Sequence, residues 1–300
     1  MNKALRGVLP PVATPFKDEE VDLQALAANL RAWNPGGLSG YLILGSNGET
    51  CYLNEREKDE VLAAAREAMA SDKLFMAGTG CESTRETIRL PRRAAELGAD
   101  CALVLTPAYY KGQMTSEALE SQYQKVAEAS PMPILLYNVP QFTGINLAPG
   151  LVARLAQHQN IAGIKDSSGN IAQLTEIIRL CGPEFAVFVG SAPVFYPALC
   201  VGAAGGILAV ANVVPELCVE IQRRQQRGDH AGALALQQDL NPLANLVTSG
   251  LGVGGLKMAM TQRGFRGGQV RSPLVMPQQA AGQVAEELAK LQPWLEQAAH

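Results

Sequence analysis

The sequence predicts an α/β fold, a (β/α)8 TIM barrel carrying a C-terminal helical extension. Three observations lead there. Eight short apolar runs recur between Gly7 and Ala211, and nearly all are continuously apolar rather than alternating, as strands buried on both faces of a parallel sheet read. Longer amphipathic runs with helix-start residues fill the gaps between them. The chain's 300 residues suit a single large α/β unit, and eight strand–helix repeats imply a closed barrel rather than an open doubly wound sheet.

In order, the strand candidates are Gly7–Thr14, Tyr41–Gly45, Leu74–Gly80, Cys101–Thr106, Ile134–Asn138, Ala162–Asp166, Ala186–Gly190 and Gly206–Ala211. Among the helices, Leu23–Trp33 follows Asp22, Glu55–Ala70 follows Asn54, and Thr84–Leu97 follows Ser83 and stops at Gly98. Glu117–Ala129 follows Ser116, and Ile171–Leu180 follows Asn170 and stops before Gly182-Pro183. Each preceding residue can accept a hydrogen bond from the orphan N–H groups of a first helical turn. No G-x-G-x-x-G follows the first strand, which argues against a dinucleotide fold. From Val214 onward the runs are helical and rich in Ala, Leu and Gln: Glu216–Arg227, Ala231–Val247, Gly255–Arg263 and Gln279–Leu291. No Ser/Gly/Pro linker separates them from the barrel. The expected organisation is therefore a barrel over 1–213 with an extension over 214–300 packed on it as one structural unit.

Composition excludes several classes of function. Lys and Arg number 25 against 28 Asp and Glu, a net charge of −3, so there is no basic surplus for nucleic acid. No apolar run reaches the ~20 residues of a membrane helix, and Met1–Arg6 is too short and polar for a signal peptide. Cys51, Cys81, Cys101, Cys181, Cys200 and Cys218 form no C-x-x-C pair and read as reduced thiols of a cytoplasmic protein. His158, His230 and His300 are scattered, which leaves no His-based metal site.

Barrel chemistry sits at the carboxyl ends of the strands, and three strand ends carry unusual residues. The sixth strand ends in Ile164-Lys165-Asp166. Burial disfavours an ammonium ion and exposes a nucleophilic amine; the alternative is a lysine that snorkels or pairs with Asp166. The fifth ends in Tyr137-Asn-Val-Pro140, where a phenol can shuttle protons or simply pack. The second ends in Gly45-Ser-Asn-Gly-Glu-Thr50, a turn whose free N–H groups and short polar side chains suit a carboxylate but which lacks the lysine of a nucleotide P-loop. The glycines of Gly202–Gly206 could serve a phosphate, or close packing and a tight turn.

Together and in this order, these features resemble the dihydrodipicolinate synthase / N-acetylneuraminate lyase family of pyruvate-dependent class I aldolases. The resemblance runs from Pro11-Val-Ala-Thr-Pro-Phe16 to Arg271-Ser-Pro-Leu274. Its strongest signatures are Gly45-Ser-Asn-Gly-Glu49, Thr106-Pro-Ala-Tyr-Tyr110, Leu136-Tyr-Asn-Val-Pro140, Gly163-Ile-Lys-Asp-Ser167 and Gly202-Ala-Ala-Gly-Gly-Ile207. It implies that Lys165 forms the Schiff base and that Tyr137 relays protons. It further implies that Ser46 links Tyr137 to Tyr109, a second tyrosine that reaches in from a neighbouring subunit. Ser46 and Asn47 match the pair that holds the pyruvoyl carboxylate, and Ile207 matches a residue lining the lysine's pocket. Gly190, Phe142 and Ser167 complete the implied substrate-binding set. The iminium takes the place of a Lewis acid, so no metal or other cofactor is implied. The implied partners are a small 2-keto acid, pyruvate, and further copies of the chain in a dimer or homotetramer, with no nucleic acid and no membrane.

Dihydrodipicolinate synthases place an arginine two residues after the proline of Tyr-Asn-Val-Pro to bind the aldehyde's carboxylate. Here that position is Phe142, whose ring cannot make a bidentate carboxylate contact. The segments around Ser46-Asn47, Tyr109-Tyr110-Lys-Gly112 and Gly190-Ser-Ala192 look more like the 4-hydroxy-2-oxoglutarate aldolase branch, which yields pyruvate and glyoxylate. Aldolases of 2-keto-3-deoxy sugar acids and of N-acetylneuraminate share much of the pattern, and 4-hydroxy-tetrahydrodipicolinate synthase is disfavoured by Phe142. A catalytically silent keto-acid-binding barrel would keep the Ser46-Asn47 turn and lose the lysine or the tyrosine; both are present.

Overall fold

The computed structural model describes residues 3–298, so the start of the Met1–Arg6 segment and His300 lie outside it. Its fold is the (β/α)8 barrel with C-terminal helices. The eight parallel strands are β1 (Gly7–Leu9), β2 (Gly40–Ile43), β3 (Leu74–Gly78), β4 (Cys101–Leu105), β5 (Ile134–Asn138), β6 (Ile161–Asp166), β7 (Ala186–Val189) and β8 (Gly205–Ile207). They form one sheet in the order β1-β8-β7-β6-β5-β4-β3-β2.

The chain packs as two compact units, one containing Leu74–Ile207 and the other Gly7–Lys73 with the segment from Leu208 onward. In the Leu74–Ile207 unit, β3 to β8 alternate with α3 (Thr84–Glu96), α4 (Ser116–Ala129), α5 (Pro149–Leu155), α6 (Ile171–Cys181) and α7 (Phe195–Cys200). Parallel pairing sets Ala102 beside Ile134, Tyr137 beside Lys165 and Lys165 beside Phe188. Nearly every residue of these strands is buried, and each fully buried Leu, Ile or Phe contributes about 1.5–3 kcal/mol.

The second unit holds β1, β2, α1 (Leu23–Trp33), α2 (Glu55–Ala68), and the later helices α8 (Pro215–Gln226), α9 (His230–Asn245), α10 (Gly252–Gln262), α11 (Ala281–Lys290) and α12 (Gln292–Ala298). Here Val12 N–H donates to the Leu42 carbonyl at 2.8 Å and Leu42 N–H to that of Pro10 at 3.0 Å. Trp33 packs against Tyr41 and Phe265, with ring centroids 6.3 and 5.4 Å away.

The differences from the sequence expectation are local. The first run ends as a strand at Leu9 rather than Thr14, because Pro10 and Pro11 have no N–H for the ladder. The eighth ends at Ile207 rather than Ala211. Beyond it Ala209–Asn212 coils into a 3-10 turn, in which the Asn212 amide donates to the carbonyls of Ala209 and Pro11 and accepts from Ala13 N–H. Thr115, not Ser116, caps α4, its hydroxyl accepting from Ala118 N–H. Three of the labelled helices were not expected, α5 of 7 residues, α7 of 6 and α12 of 7; all are too short to show a helical period. No disulfide joins the six cysteines.

Candidate active site

Lys165 and Tyr137 occupy the last turns of pleat on β6 and β5 and are paired in register. Both are buried, at 3% and 6% exposure. The Lys165 Nζ lies 4.3 Å from the centre of the Tyr137 ring. Among the described residues Lys165 makes no ion pair and no side-chain hydrogen bond, so its amine is available to a carbonyl carbon.

Asp166 is not its counter-ion. Strand alternation turns Asp166 and Asn138 away from the face that Lys165 and Tyr137 share. Asp166 Oδ1 accepts from Ser168 N–H at 2.8 Å and from the Ser168 hydroxyl at 2.5 Å. Oδ2 accepts from Asn138 Nδ2 at 2.9 Å and Gln173 Nε2 at 2.8 Å. Asn138 in turn accepts from Leu147 N–H at 2.9 Å. The residues that follow the amine and the phenol thus tie their two strands together. On the other side of β5, the Thr106 hydroxyl donates to the Tyr137 carbonyl at 3.2 Å. Sequence reasoning did not single out Asn138, Asp166 or Thr106 in these roles; for Asn138 and Asp166 the signal lay one residue beyond Tyr137 and Lys165.

Gly190 follows β7 and gives the lysine room. A Cβ there would lie 3.0 Å from Lys165 Cε and 1.9 Å from the Ser167 hydroxyl oxygen, so Gly190, Ser167 and Lys165 are brought together. Ile207 is buried at the end of β8, one residue beyond Gly206, the register partner of Val189. Tyr109 and Phe142 face outward, 79% and 74% exposed. The Tyr109 ring meets Tyr110 edge-on at 5.0 Å, and its backbone is held by Glu82, whose carboxylate accepts from Tyr109 N–H at 2.9 Å and Ala108 N–H at 3.0 Å. Phe142 sits on the one-turn helix Pro140–Thr143 that follows β5.

Ser46 and Asn47 belong to the other unit. They lie on a 3-10 turn, Ser46–Gly48, directly after β2. Gly48 N–H donates to the Gly45 carbonyl at 2.9 Å and Glu49 N–H to that of Ser46 at 3.1 Å. A side chain at Gly48 would press on the Val12 carbonyl at 3.1 Å, so glycine lets the turn lie close to the backbone. Among the described residues no group of three or more His, Cys, Asp or Glu is arranged to hold a metal, and no helix is long and apolar enough to cross a membrane.

The model of the dihydrodipicolinate synthetase family matches residues 4–291. A 4-hydroxy-tetrahydrodipicolinate synthase of Methanothrix thermoacetophila is 38% identical over 271 residues, 90% of each chain. An uncharacterized DapA-like lyase of Halobacterium salinarum is 36% identical over 271 residues, 90% of this chain and 88% of the other. The crystal structure of YagE, a prophage protein of the dihydrodipicolinic acid synthase family from E. coli K12, solved in complex with pyruvate, superposes with a TM-score of 0.89. It is 30% identical, with 96% of this chain and 98% of that one covered.

Proposed function

Because the chain belongs to the dihydrodipicolinate synthetase family and is a carbon–carbon lyase of the class I aldolase type, we propose that Lys165 forms a Schiff base with a 4-hydroxy-2-keto acid and releases pyruvate. The observation that carries this reading is the buried Lys165 amine, unpaired among the described residues, beside the Tyr137 ring. The amine adds to the 2-keto carbon and water leaves, giving an iminium. The bond between the third and fourth carbons then breaks, its electron pair moving into the iminium to form an enamine. Tyr137 takes the proton of the 4-hydroxyl as it passes its own along a relay through Ser46 and Tyr109, and the aldehyde departs. Protonation of the enamine and hydrolysis return pyruvate and the free lysine.

Ser46 and Asn47 seat the keto acid's carboxylate, a role suited to a tight turn with short polar side chains directly after β2. Ser167, Gly190 and Ile207 shape the space around the amine. Tyr109 acts on a second copy of the chain, in a dimer or homotetramer; its outward-facing, Glu82-held position supports this. The protein acts in the cytoplasm and needs no metal or other cofactor, because the iminium supplies the electron sink.

For the distal group we favour 4-hydroxy-2-oxoglutarate, cleaved to pyruvate and glyoxylate, because Phe142 stands where a synthase of the lysine pathway needs an arginine. The relatives' names favour a second reading, 4-hydroxy-tetrahydrodipicolinate synthase; 2-keto-3-deoxy sugar acids and N-acetylneuraminate are the other aldol substrates to weigh. Pyruvate release from 4-hydroxy-2-oxoglutarate, 2-keto-3-deoxygluconate and N-acetylneuraminate should be compared with turnover of pyruvate plus aspartate semialdehyde. Rapid turnover in the last assay reverses the argument from Phe142. Borohydride reduction with pyruvate should leave a stable adduct on Lys165, and an unmodified lysine rejects the Schiff base altogether.

A further inference from the structure

Glu49 ends the Ser46–Gly48 turn with φ 53° and ψ 35°, a left-handed backbone that a residue with a Cβ avoids and holds only where its surroundings enforce it. The enforcement comes from residues more than 200 positions later in the chain. Glu49 Oε1 accepts from Lys257 Nζ at 2.5 Å, and Oε2 accepts from Arg271 N–H at 2.9 Å. Lys257, on α10, donates a second hydrogen bond to the Gln269 carbonyl at 2.6 Å and lies 4.5 Å from the centre of the Phe16 ring. Both charged side chains are buried. The Arg271 side chain donates to the Tyr52 carbonyl at 2.9 Å and to Glu57 at the start of α2. The turn is therefore clamped at its left-handed residue from one side and steadied just beyond it from another.

A buried ion pair is a weak stabiliser, because desolvation offsets much of its attraction and a well-packed apolar pair serves stability as well. What it supplies that an apolar pair cannot is direction: a carboxylate with both oxygens fixed leaves its backbone one orientation. Only Asn47 and Gly48 lie between Ser46 and Glu49, and the Glu49 N–H is itself bonded to the Ser46 carbonyl. We propose that the buried Glu49–Lys257 pair is a positioning device that aims the Ser46–Asn47 turn at the substrate carboxylate, so that Glu49 and Lys257 set keto-acid affinity without touching the keto acid. This rests on the reading of that turn as the carboxylate seat.

The test uses the full-length protein with Lys257→Met, Lys257→Arg and Glu49→Gln. The last keeps the side chain's shape and guards against loss of folding. Each variant is checked for folding by thermal unfolding, then titrated with pyruvate and quenched with borohydride, and the Lys165 adduct is counted by mass spectrometry. Lys257→Met and Glu49→Gln should raise the half-saturating pyruvate concentration tenfold or more while the adduct at saturation still approaches one per chain. Lys257→Arg, which keeps the cation, should recover part of the affinity. Variants that unfold at lower temperature yet titrate like wild type would show a merely structural pair and overturn the proposal. A wild-type protein that forms no adduct overturns the Schiff-base reading itself, and this inference with it. An adduct whose half-saturation ignores Ser46→Ala and Asn47→Ala removes only the carboxylate-seat premise, and the inference falls with that premise alone.

Discussion

Tyr137 and Lys165 are side-by-side partners on β5 and β6, with the amine of one 4.3 Å from the ring centre of the other. One register pairing thus sets the distance between the proposed nucleophile and the proposed acid–base group. The two should be separable by mutation. Lys165→Ala should abolish both turnover and borohydride-trapped adduct. Tyr137→Phe should still form the adduct, slowly, while carbon–carbon cleavage falls by about 10²–10⁴-fold, the usual contribution of a positioned proton carrier. Trapped pyruvate in Lys165→Ala would move the chemistry to another residue.

Gly190→Ala tests whether space beside the amine matters. The added methyl group would sit 1.9 Å from the Ser167 hydroxyl oxygen and 3.0 Å from Lys165 Cε, so both side chains must move. Adduct formation should slow by about tenfold or more, since small misplacements of reacting groups are costly. The double variant Gly190→Ala, Ser167→Ala should recover part of that loss, because it removes the closer clash. Equal rates in the single variant and wild type would mean that the lysine does not react in the position seen.

Asn138→Ala cuts the tie between β5 and β6, the strands of the proposed reactive pair. It leaves Leu147 N–H without its buried acceptor and Asp166 Oδ2 with one donor fewer. A buried polar group left unmade costs about 1–3 kcal/mol, which urea unfolding should register. Catalysis should fall as well, with kcat reduced more than KM rises, because the strand ends that carry Tyr137 and Lys165 lose their common anchor. A pure stability loss with unchanged kcat would confine Asn138 to the fold.

The barrel was legible because its strands are covered on both faces: Ile134–Asn138 is buried along its whole length, and an unbroken apolar run carries that fact without a partner. Several helix starts were legible because a short polar side chain closes the first turn, as Asp22, Asn54, Ser83 and Asn170 do, although the Thr115 and Asp229 caps were missed. The end of the eighth strand was not legible, because Asn212 bonds there to the Pro11 carbonyl and Ala13 N–H, partners some 200 positions away that the local run does not show. Lys165 and Tyr137 stood out as polar residues ending apolar strands. Lys257 did not, although it is as buried as either. A lysine inside a helix usually reads as solvated, and only the folded chain brings Glu49 to it.

Outward-facing Tyr109 makes a prediction about assembly. If its hydroxyl serves a neighbouring copy, Tyr109→Phe and Tyr137→Phe chains should each be weak alone. Mixed after mild dissociation, they should regain activity, because some sites then draw an intact tyrosine from each parent. The recovered rate should rise with the fraction of mixed oligomers measured by native mass spectrometry. Activity that stays at the average of the two parents would place the Tyr109 hydroxyl outside the partner's chemistry.

Lys257 should leave a mark on stability at alkaline pH. Burial lowers its pKa from 10.5 to about 8, with Glu49 opposing the shift and Arg271 adding to it. Between about 8 and 10.5 the unfolded chain therefore binds more protons at this site than the folded one, and stability must rise with pH there, by up to about 1.4 kcal/mol per pH unit from this group. Below about 8 the cost of burying the cation is fully present and flat. Other groups titrate in the same range, so the informative quantity is the wild-type unfolding free energy minus that of Lys257→Met. Urea unfolding of both from pH 7 to 10 should show that difference constant up to about 8 and then moving in favour of wild type. A difference that stays level to pH 10, or moves the other way, would mean that Lys257 keeps its proton and the pair remains charged throughout.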